Sequence, residues 1–177
     1  VIFVERSTLN LDNSLLSNNI ANFSGGGTLC QRSSTFTVTN TQYLNNTAQQ
    51  GGAFFTHVDS TGSFTGCTFS RNHAPRAGGA GIMARSDVSF NECVFEDGHS
   101  DSGGFLMVIN STVSVWNSRL HNGSATTGGC LSSTHHSTVH LQSLTFSSGE
   151  GDLSAGAIFV LESNLSASDC QFRGNTA

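Results

Sequence analysis

The sequence predicts an all-β fold, a single-stranded parallel β-helix of about seven coils of 25–27 residues each. The first observation is a glycine pair that returns at nearly constant spacing: Gly26-Gly27, Gly51-Gly52, Gly78-Gly79, Gly103-Gly104 and Gly128-Gly129, with Ala155-Gly156 as a weakened sixth. The second is an apolar residue followed three positions later by Asn or Gly: Leu16/Asn19, Tyr43/Asn46, Phe69/Asn72, Phe95/Gly98, Leu120/Gly123, Phe146/Gly149 and Phe172/Asn175. Because both markers keep one phase over the chain, they indicate one repeated structural unit.

The segment before the second marker alternates apolar and polar residues with period two, which is typical of a half-buried strand. One apolar column reads Leu11, Val38, Phe64, Phe90, Val115, Leu141 and Ala167, and another reads Leu9, Phe36, Gly62, Val88, Val113, Val139 and Leu165. Ser, Thr and His fill most of the positions between them. Strands that pair with the same strand one coil above, about 4.8 Å away, would stack these columns into ladders.

Turns separate the strands of each coil. We expect the Asn/Gly column, including Asn46, Asn72 and Asn175, to adopt a left-handed turn, where Asn and Gly are the least strained residues. The glycine pair, with Gly52, Gly79, Gly104 and Gly129 as its second members, marks a further bend or a close backbone approach. A short strand follows each pair. The leucine spacing of leucine-rich repeats is absent from this sequence. Helical repeats are disfavoured because the residues have low helix propensity.

Composition limits the class of protein. The chain has 177 residues, a net charge of −5, only 11% charged residues and no lysine, so a nucleic-acid partner is not expected. No apolar run is long enough to span a bilayer. The chain begins inside a repeat and ends where the next glycine pair is due. We therefore interpret residues 1–177 as one β-helix segment, an excised part of a longer surface protein that continues into neighbouring coils or self-associates.

The motifs Gly51-Gly52-Ala53, Gly78-Gly79-Ala80, Phe69-Ser70-Arg71-Asn72 and Phe172-Arg173-Gly174-Asn175 resemble the Gly-Gly-Ala-Ile and Phe-x-x-Asn repeats of the chlamydial polymorphic outer-membrane protein family. Large surface proteins of algae and protists with a pectin-lyase-like fold carry similar repeats. The resemblance covers all seven coils. It implies a right-handed parallel β-helix at a cell surface, used in adhesion or as a structural stalk, and it carries over no catalytic residue.

One polar turn is a candidate for chemistry. Asp97, His99 and Asp101 lie close together in coil 4, and His73 stands one coil below His99. Clustered acids of this kind serve polysaccharide lyases and hydrolases, and stacked histidines beside carboxylates can bind a transition metal. The alternative is a solvated turn. We name no catalytic or metal-binding residue and expect no cofactor.

Modification sites can also be predicted. Five Asn-x-Ser/Thr sequons begin at Asn22, Asn45, Asn110, Asn122 and Asn164, a number close to the chance expectation, and glycosylation is expected only in a secreted eukaryotic setting. Cys67 and Cys93 share an inward column in adjacent coils, within range of a disulfide, and a buried thiol ladder is the alternative.

The function we predict is a non-catalytic extracellular structural repeat, part of a fibre, stalk or surface layer. An adhesin or glycan-binding module is the alternative, for which outward-facing Trp116, with Arg119 near it, is the one aromatic candidate. A polysaccharide lyase or hydrolase is the second alternative.

The strand after the glycine pair carries two adjacent apolar columns. The first reads Ile2, Leu29, Phe54, Gly81, Leu106, Leu131 and Ile158, and the second reads Phe3, Cys30, Phe55, Ile82, Met107, Ser132 and Phe159. Since neighbouring residues of a strand point to opposite faces, one column should form an outer apolar stripe that a second β-helix, a flanking segment or a glycan covers. A three-sided coil whose corner buries both columns is the alternative.

Overall fold

The computed structural model describes residues 1–177 as 23 short β-strands. The strands are β1 (Ile2–Glu5), β2 (Thr8–Asp12), β3 (Leu15–Ser17), β4 (Thr28–Gln31), β5 (Thr35–Thr39), β6 (Gln42–Leu44), β7 (Phe54–Thr65), β8 (Thr68–Ser70), β9 (His73–Ala74), β10 (Gly81–Asn91), β11 (Val94–Glu96), β12 (His99–Ser102), β13 (Leu106–Ile109), β14 (Thr112–Trp116), β15 (Arg119–His121), β16 (Ser124–Thr127), β17 (Leu131–Thr134), β18 (Thr138–Gln142), β19 (Thr145–Ser147), β20 (Glu150–Ser154), β21 (Ile158–Val160), β22 (Asn164–Ser168) and β23 (Gln171–Arg173).

The strands stack into a parallel β-helix with four faces. Face one contains β1, β4, β13, β17, β21 and the first halves of β7 and β10; face two contains β2, β5, β14, β18, β22 and the second halves of β7 and β10. Face three contains β3, β6, β8, β11, β15, β19 and β23, and face four contains β9, β12, β16 and β20. Each strand pairs in parallel with the equivalent strand of the next coil, which confirms the predicted all-β solenoid of about seven coils. The coils are numbered in chain order: coil 1 is β1–β3, coil 2 is β4–β6, coil 3 is β7–β9, coil 4 is β10–β12, coil 5 is β13–β16, coil 6 is β17–β20 and coil 7 is β21–β23.

The predicted strand columns are confirmed by the pairing register. Leu11 pairs with Val38 and Val38 with Phe64, and the column continues upward through Phe90. The aromatic column on face three is the most regular part of the core. Tyr43 and Phe95 stack on either side of Phe69, with ring centroids 5.1 and 4.8 Å away. Offset or stacked ring pairs at this spacing add to the free energy gained from burial alone.

The two members of the glycine pair have different roles, and Gly52, Gly79, Gly104 and Gly129, predicted at turns, show the close backbone approach and are not the left-handed residues. The first member adopts the left-handed conformation, as Gly78 does at φ 61° and Gly103 at φ 63°. The second member, in the column of Gly52, Gly79, Gly104 and Gly129, allows a close backbone approach. A Cβ added to Gly52 would lie 2.3 Å from the carbonyl oxygen of Gly79 in the next coil. No side chain fits there.

The predicted turn at the Asn/Gly column is wrong by one residue. The left-handed residues are those just before the column: Asn18, Asn45, Arg71, Asp97, Asn122, Ser148 and Gly174. Asn46, Asn72 and Asn175 instead direct their amides at backbone groups of neighbouring coils; the Asn175 amide, for example, donates to the Phe146 carbonyl at 3.2 Å. An amide supplies both a donor and an acceptor, so it can satisfy backbone groups that a corner leaves unpaired.

A second ladder follows the corner between faces one and two, which we call the serine corner: Ser7, Ser34, Ser60, Ser86, Ser111, Ser137 and Ser163. Each hydroxyl donates to a carbonyl two or three residues earlier in its own coil; that of Ser111 donates to Ile109 at 2.8 Å. In four of the coils the same oxygen also accepts a bond from the coil below, as when the Ser86 N–H donates to Ser111 Oγ at 3.0 Å. The hydroxyls thereby replace strand pairing where the chain turns.

The two apolar columns of face one need correction in the second coil. Thr28, not Leu29, pairs with Ile2 and Phe54, because the left-handed glycine there is Gly25 and the pair is Gly25-Gly26. Leu29 therefore belongs to the outer column with Phe3.

The outer stripe is present, but the chain itself covers its middle. Leu106 and Leu131 lie in the main core, whereas Ile82 and Met107 are outside that core yet only 1% and 9% exposed. Ser102, on the preceding strand, places its hydroxyl 3.6 Å from the Met107 sulfur. Phe55 and Phe159, toward the two ends, are half-buried. The reason for expecting a covering partner over the middle coils is thus removed.

Candidate functional site

The structure brings together only part of the predicted polar turn. His73 pairs with His99 across β9 and β12, and their rings are stacked with centroids 5.3 Å apart and planes at 7°. His99 Nδ1 lies 2.9 Å from Ser124 Oγ, while Asp97 Oδ1 accepts a 2.8 Å bond from the Asn122 amide. No three or more His, Cys, Asp or Glu side chains are grouped so as to hold a metal ion. The turn is thus a histidine pair beside a ladder of polar bonds.

Burial lowers the pKa of His73, and the neighbouring charge of His99 lowers it further. Both causes disfavour the imidazolium. Two stacked neutral rings are compatible with close coil packing, whereas two stacked cations repel each other. The pair is therefore a point at which protonation acts against the contact between coils 3 and 4.

Trp116 faces outward on face two, as predicted. It is half-buried at the end of β14 and lines a shallow groove together with His140 and Gln142 of the next coil. Arg119 forms an ion pair with Glu96. An aromatic ring beside polar side chains on a flat sheet is the arrangement that a sugar ring can stack on.

Two more grooves follow the same face. One runs across three strands and is lined by Thr61, Asp87, Ser89, Thr112 and Ser114, among others. The other lies where face two meets the serine corner and is lined by Asp59, Ser60, Thr61, Arg85, Ser86, Asp87 and Asn110. Face two therefore presents a polar surface with grooves from the serine corner to Trp116.

The serine corner differs from the others in its left-handed residues, and sequence reasoning missed it. Here they are Arg6, Arg32, Ser33, Val58, Asp59, Arg85, Asn110, His135, His136 and Glu162, so only one Asn and no Gly are present. Long or β-branched side chains, Val58 above all, are strained in this conformation. Such strain tends to be kept where surrounding structure or function requires it. The serine at every coil, preceded by a variable and often charged residue, was the available sequence signal.

A fourth groove lies on the face-one side of Arg85. Its lining consists of His57, Ala84, Arg85, Ile109, Asn110, His135 and His136, and it encloses about 430 Å³. We call it the histidine saddle. Ala84 and Ile109 continue the column of His57 in the next two coils, so the small and apolar residues form a floor between histidines below and above.

All five sequon asparagines are exposed. Asn45 and Asn122 occupy left-handed corners, where their amides donate to Asn18 and Asp97 respectively. Asn110 occupies the serine corner and lines the grooves on both sides of Arg85. Glycosylation at these positions stays a prediction.

Cys67 and Cys93 lie in adjacent coils on the inward column, as predicted, and both are buried free thiols in the structure. A hydrogen bond with Cys93 lowers the pKa of Cys67, and the same contact raises the pKa of Cys93. Burial raises the pKa of Cys30 to about 11 and that of Cys130 to about 12. The disulfide between Cys67 and Cys93 stays a prediction.

Comparison with known proteins supports the fold. No curated protein and no solved structure matches the chain. No helix of the structure has the length and hydrophobicity that a bilayer crossing needs. A family model described as "Right handed beta helix region" matches residues 2–146, most of the chain. The parallel register and the coil repeat of the structure agree with this match, and the chain belongs to the right-handed β-helix family.

Proposed function

We propose that this chain is a non-catalytic structural segment of an extracellular protein, a stiff rod in a stalk, fibre or surface layer. The observation that carries the proposal is that three kinds of side-chain ladder follow the axis: the aromatic column, the interior asparagines and the corner serines. Each ties one coil to the next by stacking or hydrogen bonds. A solenoid held by such neighbour contacts resists bending and is readily extended by adding coils.

The location at a cell surface is supported by the resemblance to polymorphic outer-membrane protein repeats and by the exposure of all five sequons. Seven coils give a rod of roughly 34 Å at one strand spacing per coil. A rod of this kind would separate a binding or anchoring part of a longer protein from the surface that carries it.

Force spectroscopy tests the structural role. We expect unfolding in small successive steps, as coils peel from an end. Unfolding of all coils in one step at low force would argue against this role.

Catalysis is tested on the same preparation, by incubation with acidic and neutral polysaccharides. We expect no release of new chain ends. Release that disappears in the Asp97→Ala, Asp101→Ala double variant would replace the structural proposal with an enzyme.

A glycan-binding module is the second candidate, favoured by Trp116 and the grooves of face two. Binding to a glycan array is expected to fall about tenfold or more in Trp116→Ala, because a buried stacking contact is lost, and to survive largely in Trp116→Phe. Gln42→Ala, exposed on the adjacent face three, is the matched control. Equal binding by all variants would exclude Trp116 as the platform.

A further inference from the structure

We propose that the histidine saddle binds an oxyanion, a sulfate or carboxylate group, with Arg85 as its main contact. The proposal is independent of the rod function and of sugar stacking at Trp116. It follows from the charge, the shape and the backbone of this part of the serine corner.

The charge of the saddle is opposite to that of the chain. The protein has a net charge of −5 and only seven Lys and Arg residues in total. Even so, the saddle combines Arg85 with three of the seven histidines, and no carboxylate lines it. The ion pairs of the structure join Arg32 to Glu5 and Arg119 to Glu96, so the Arg85 guanidinium is not neutralised by a salt bridge.

The hydrogen-bonding capacity of the histidines suits an anion. His57 Nδ1 lies 3.3 Å from the Ala84 carbonyl, and His135 Nδ1 lies 2.8 Å from Thr134 Oγ1. When its Nδ1–H donates to the carbonyl, a protonated His57 ring has Nε2–H as a second donor for a ligand. No side-chain hydrogen bond is formed by His136. Together with the guanidinium fork, these groups match the oxygens of a sulfate or carboxylate.

The apolar floor of the saddle and its left-handed backbone also favour anion binding. Ala84 and Ile109 are apolar, and an apolar surface beneath a charged contact lowers the local dielectric and strengthens the attraction. Arg85, His135 and His136 all keep left-handed backbone conformations, at φ 53°, 56° and 58°. Coil 5 has Asn110 at the equivalent corner, so the fold accepts the unstrained residue there. Coils 4 and 5 each have a single left-handed residue at this corner, so the strained Arg85 is not required by the fold there.

Asn110 connects this site to glycosylation. It lines the saddle and carries a sequon, so a glycan on it would stand over the floor. The binding experiment accordingly uses protein from a bacterial host, in which Asn110 is unmodified.

The decisive variant is Arg85→Asn, and the matched control is Arg71→Asn. Both arginines are exposed and left-handed, at φ 53° and 52°, on different corners, and both corners hold Asn in other coils. Each change removes one positive charge and relieves the same backbone strain, so both variants should melt at or above the wild-type temperature. Net charge and fold are thereby held equal between them.

Binding of sodium sulfate, dextran sulfate and neutral dextran is measured by calorimetry at low salt. We expect Arg85→Asn to weaken sulfate or dextran sulfate binding about tenfold or more, since a charge-assisted contact is lost, while Arg71→Asn binds like the wild type. Saturation by sodium sulfate would identify a free oxyanion as sufficient. Binding of dextran sulfate alone, with the same dependence on Arg85, would identify a sulfated polymer.

The histidines are tested by repeating the measurement with His135→Asn, His136→Asn. The charged groups around them are Arg85, Asp59 and Asp87 beyond Arg85, Arg32 in the coil before His57, and Glu162 in the coil after His136. The double variant should bind sulfate or dextran sulfate several-fold more weakly than the wild type, because two imidazole rings that line the groove are lost. Equal losses in Arg85→Asn and Arg71→Asn, no loss in either, or equal binding of neutral dextran would overturn the proposal.

Discussion

Asn72 shows how a single polar residue links two coils. It is 2% exposed; its Oδ1 accepts bonds from the Asn46 backbone N–H and amide, at 3.0 and 3.1 Å, and its own amide donates to the Tyr43 carbonyl at 2.8 Å. Asn72→Ala would leave these buried groups without partners, and we expect the free energy of unfolding to fall by about 2–4 kcal/mol. Urea unfolding followed by circular dichroism measures it. Asn10→Ala, on the exposed outer face, should change stability by less than about 0.5 kcal/mol.

Phe105 compensates for the loss of that asparagine in later coils. Coils 4 and 5 have Gly98 and Gly123 in the Asn column, and a Cβ on either would lie 2.4 or 2.6 Å from the Phe105 ring. The ring thus fills space that an amide occupies in coils 2 and 3. We expect Phe105→Ala to lower the unfolding free energy by about 3–5 kcal/mol, because a cavity remains in a stacked coil. Phe3→Ala, at a 56% exposed position, should have a much smaller effect on the urea midpoint. Similar losses in both variants would contradict this packing role.

At the scale of an element, the stacked histidines of β9 and β12 make the coil contact sensitive to pH. The pKa of His73 is lowered in the folded state, chiefly by burial and then by His99, so the unfolded chain binds the proton more readily. The stabilising contribution is therefore present above the ordinary pKa of histidine, about 6.5, and is lost as the pH falls from there toward the lower folded value.

We expect the wild-type unfolding free energy to decrease between pH 7.5 and pH 5, and the decrease to be smaller in His73→Gln. Guanidinium unfolding at several pH values measures both slopes. His140→Gln, which changes an exposed histidine of β18, is the control and should retain the wild-type slope. A slope unchanged by His73→Gln would show that the stacked pair does not contribute.

Cys67 and Cys93, which precede the adjacent strands β8 and β11, are expected to respond to oxidation. Parallel pairing of β8 with β11 holds the two residues in neighbouring coils, at the separation that a disulfide requires. After incubation with oxidised glutathione, peptide mapping without reduction should find a peptide that joins Cys67 to Cys93. Cys30 and Cys130, several coils apart, should remain free thiols. Five free thiols after this treatment would instead support the buried thiol ladder.

The sequence predicted the strands of this fold better than its corners. Period-two alternation is fixed by burial, so the columns of Val38 and Phe69 agree with the pairing register residue by residue. A turn column is weaker evidence, because Asn suits both a left-handed corner and an interior amide ladder. The left-handed residue before the column varies from Asn45 to Arg71 and Asp97 and has no common chemistry. The histidine saddle could not be predicted, since its groups come from coils 3 to 6 and meet only through stacking.

At the scale of the whole molecule, the interior ladders and the corners have different roles. The interior columns repeat closely from coil to coil and hold the solenoid together. The serine corner, by contrast, has one left-handed residue in coils 1, 4, 5 and 7 and two in coils 2, 3 and 6. The number and the charge of the left-handed residues can vary at this corner because the serine that follows them restores the hydrogen bonds at the start of the next strand. Sequence variation between coils is thus concentrated at a corner whose changes leave the scaffold intact.

A solenoid of this kind should tolerate the removal of one whole coil but not of part of one. Deletion of residues 78–102 joins Ala77 to Gly103 and removes β10, β11 and β12 together, so that β7 can pair with β13 and β14 in the same register. Phe54 would then face Leu106, and Phe69 would face Leu120, each an apolar pair in an existing column. We expect a folded protein of strand-rich circular dichroism, shorter by about 4.8 Å in scattering and less stable because one interface between coils is lost. Deletion of residues 78–90 is the control, since it leaves β11 and β12 without the preceding strand and places later residues out of register. If the whole-coil deletion unfolds as completely as this control, coil-to-coil contacts alone do not hold the rod together.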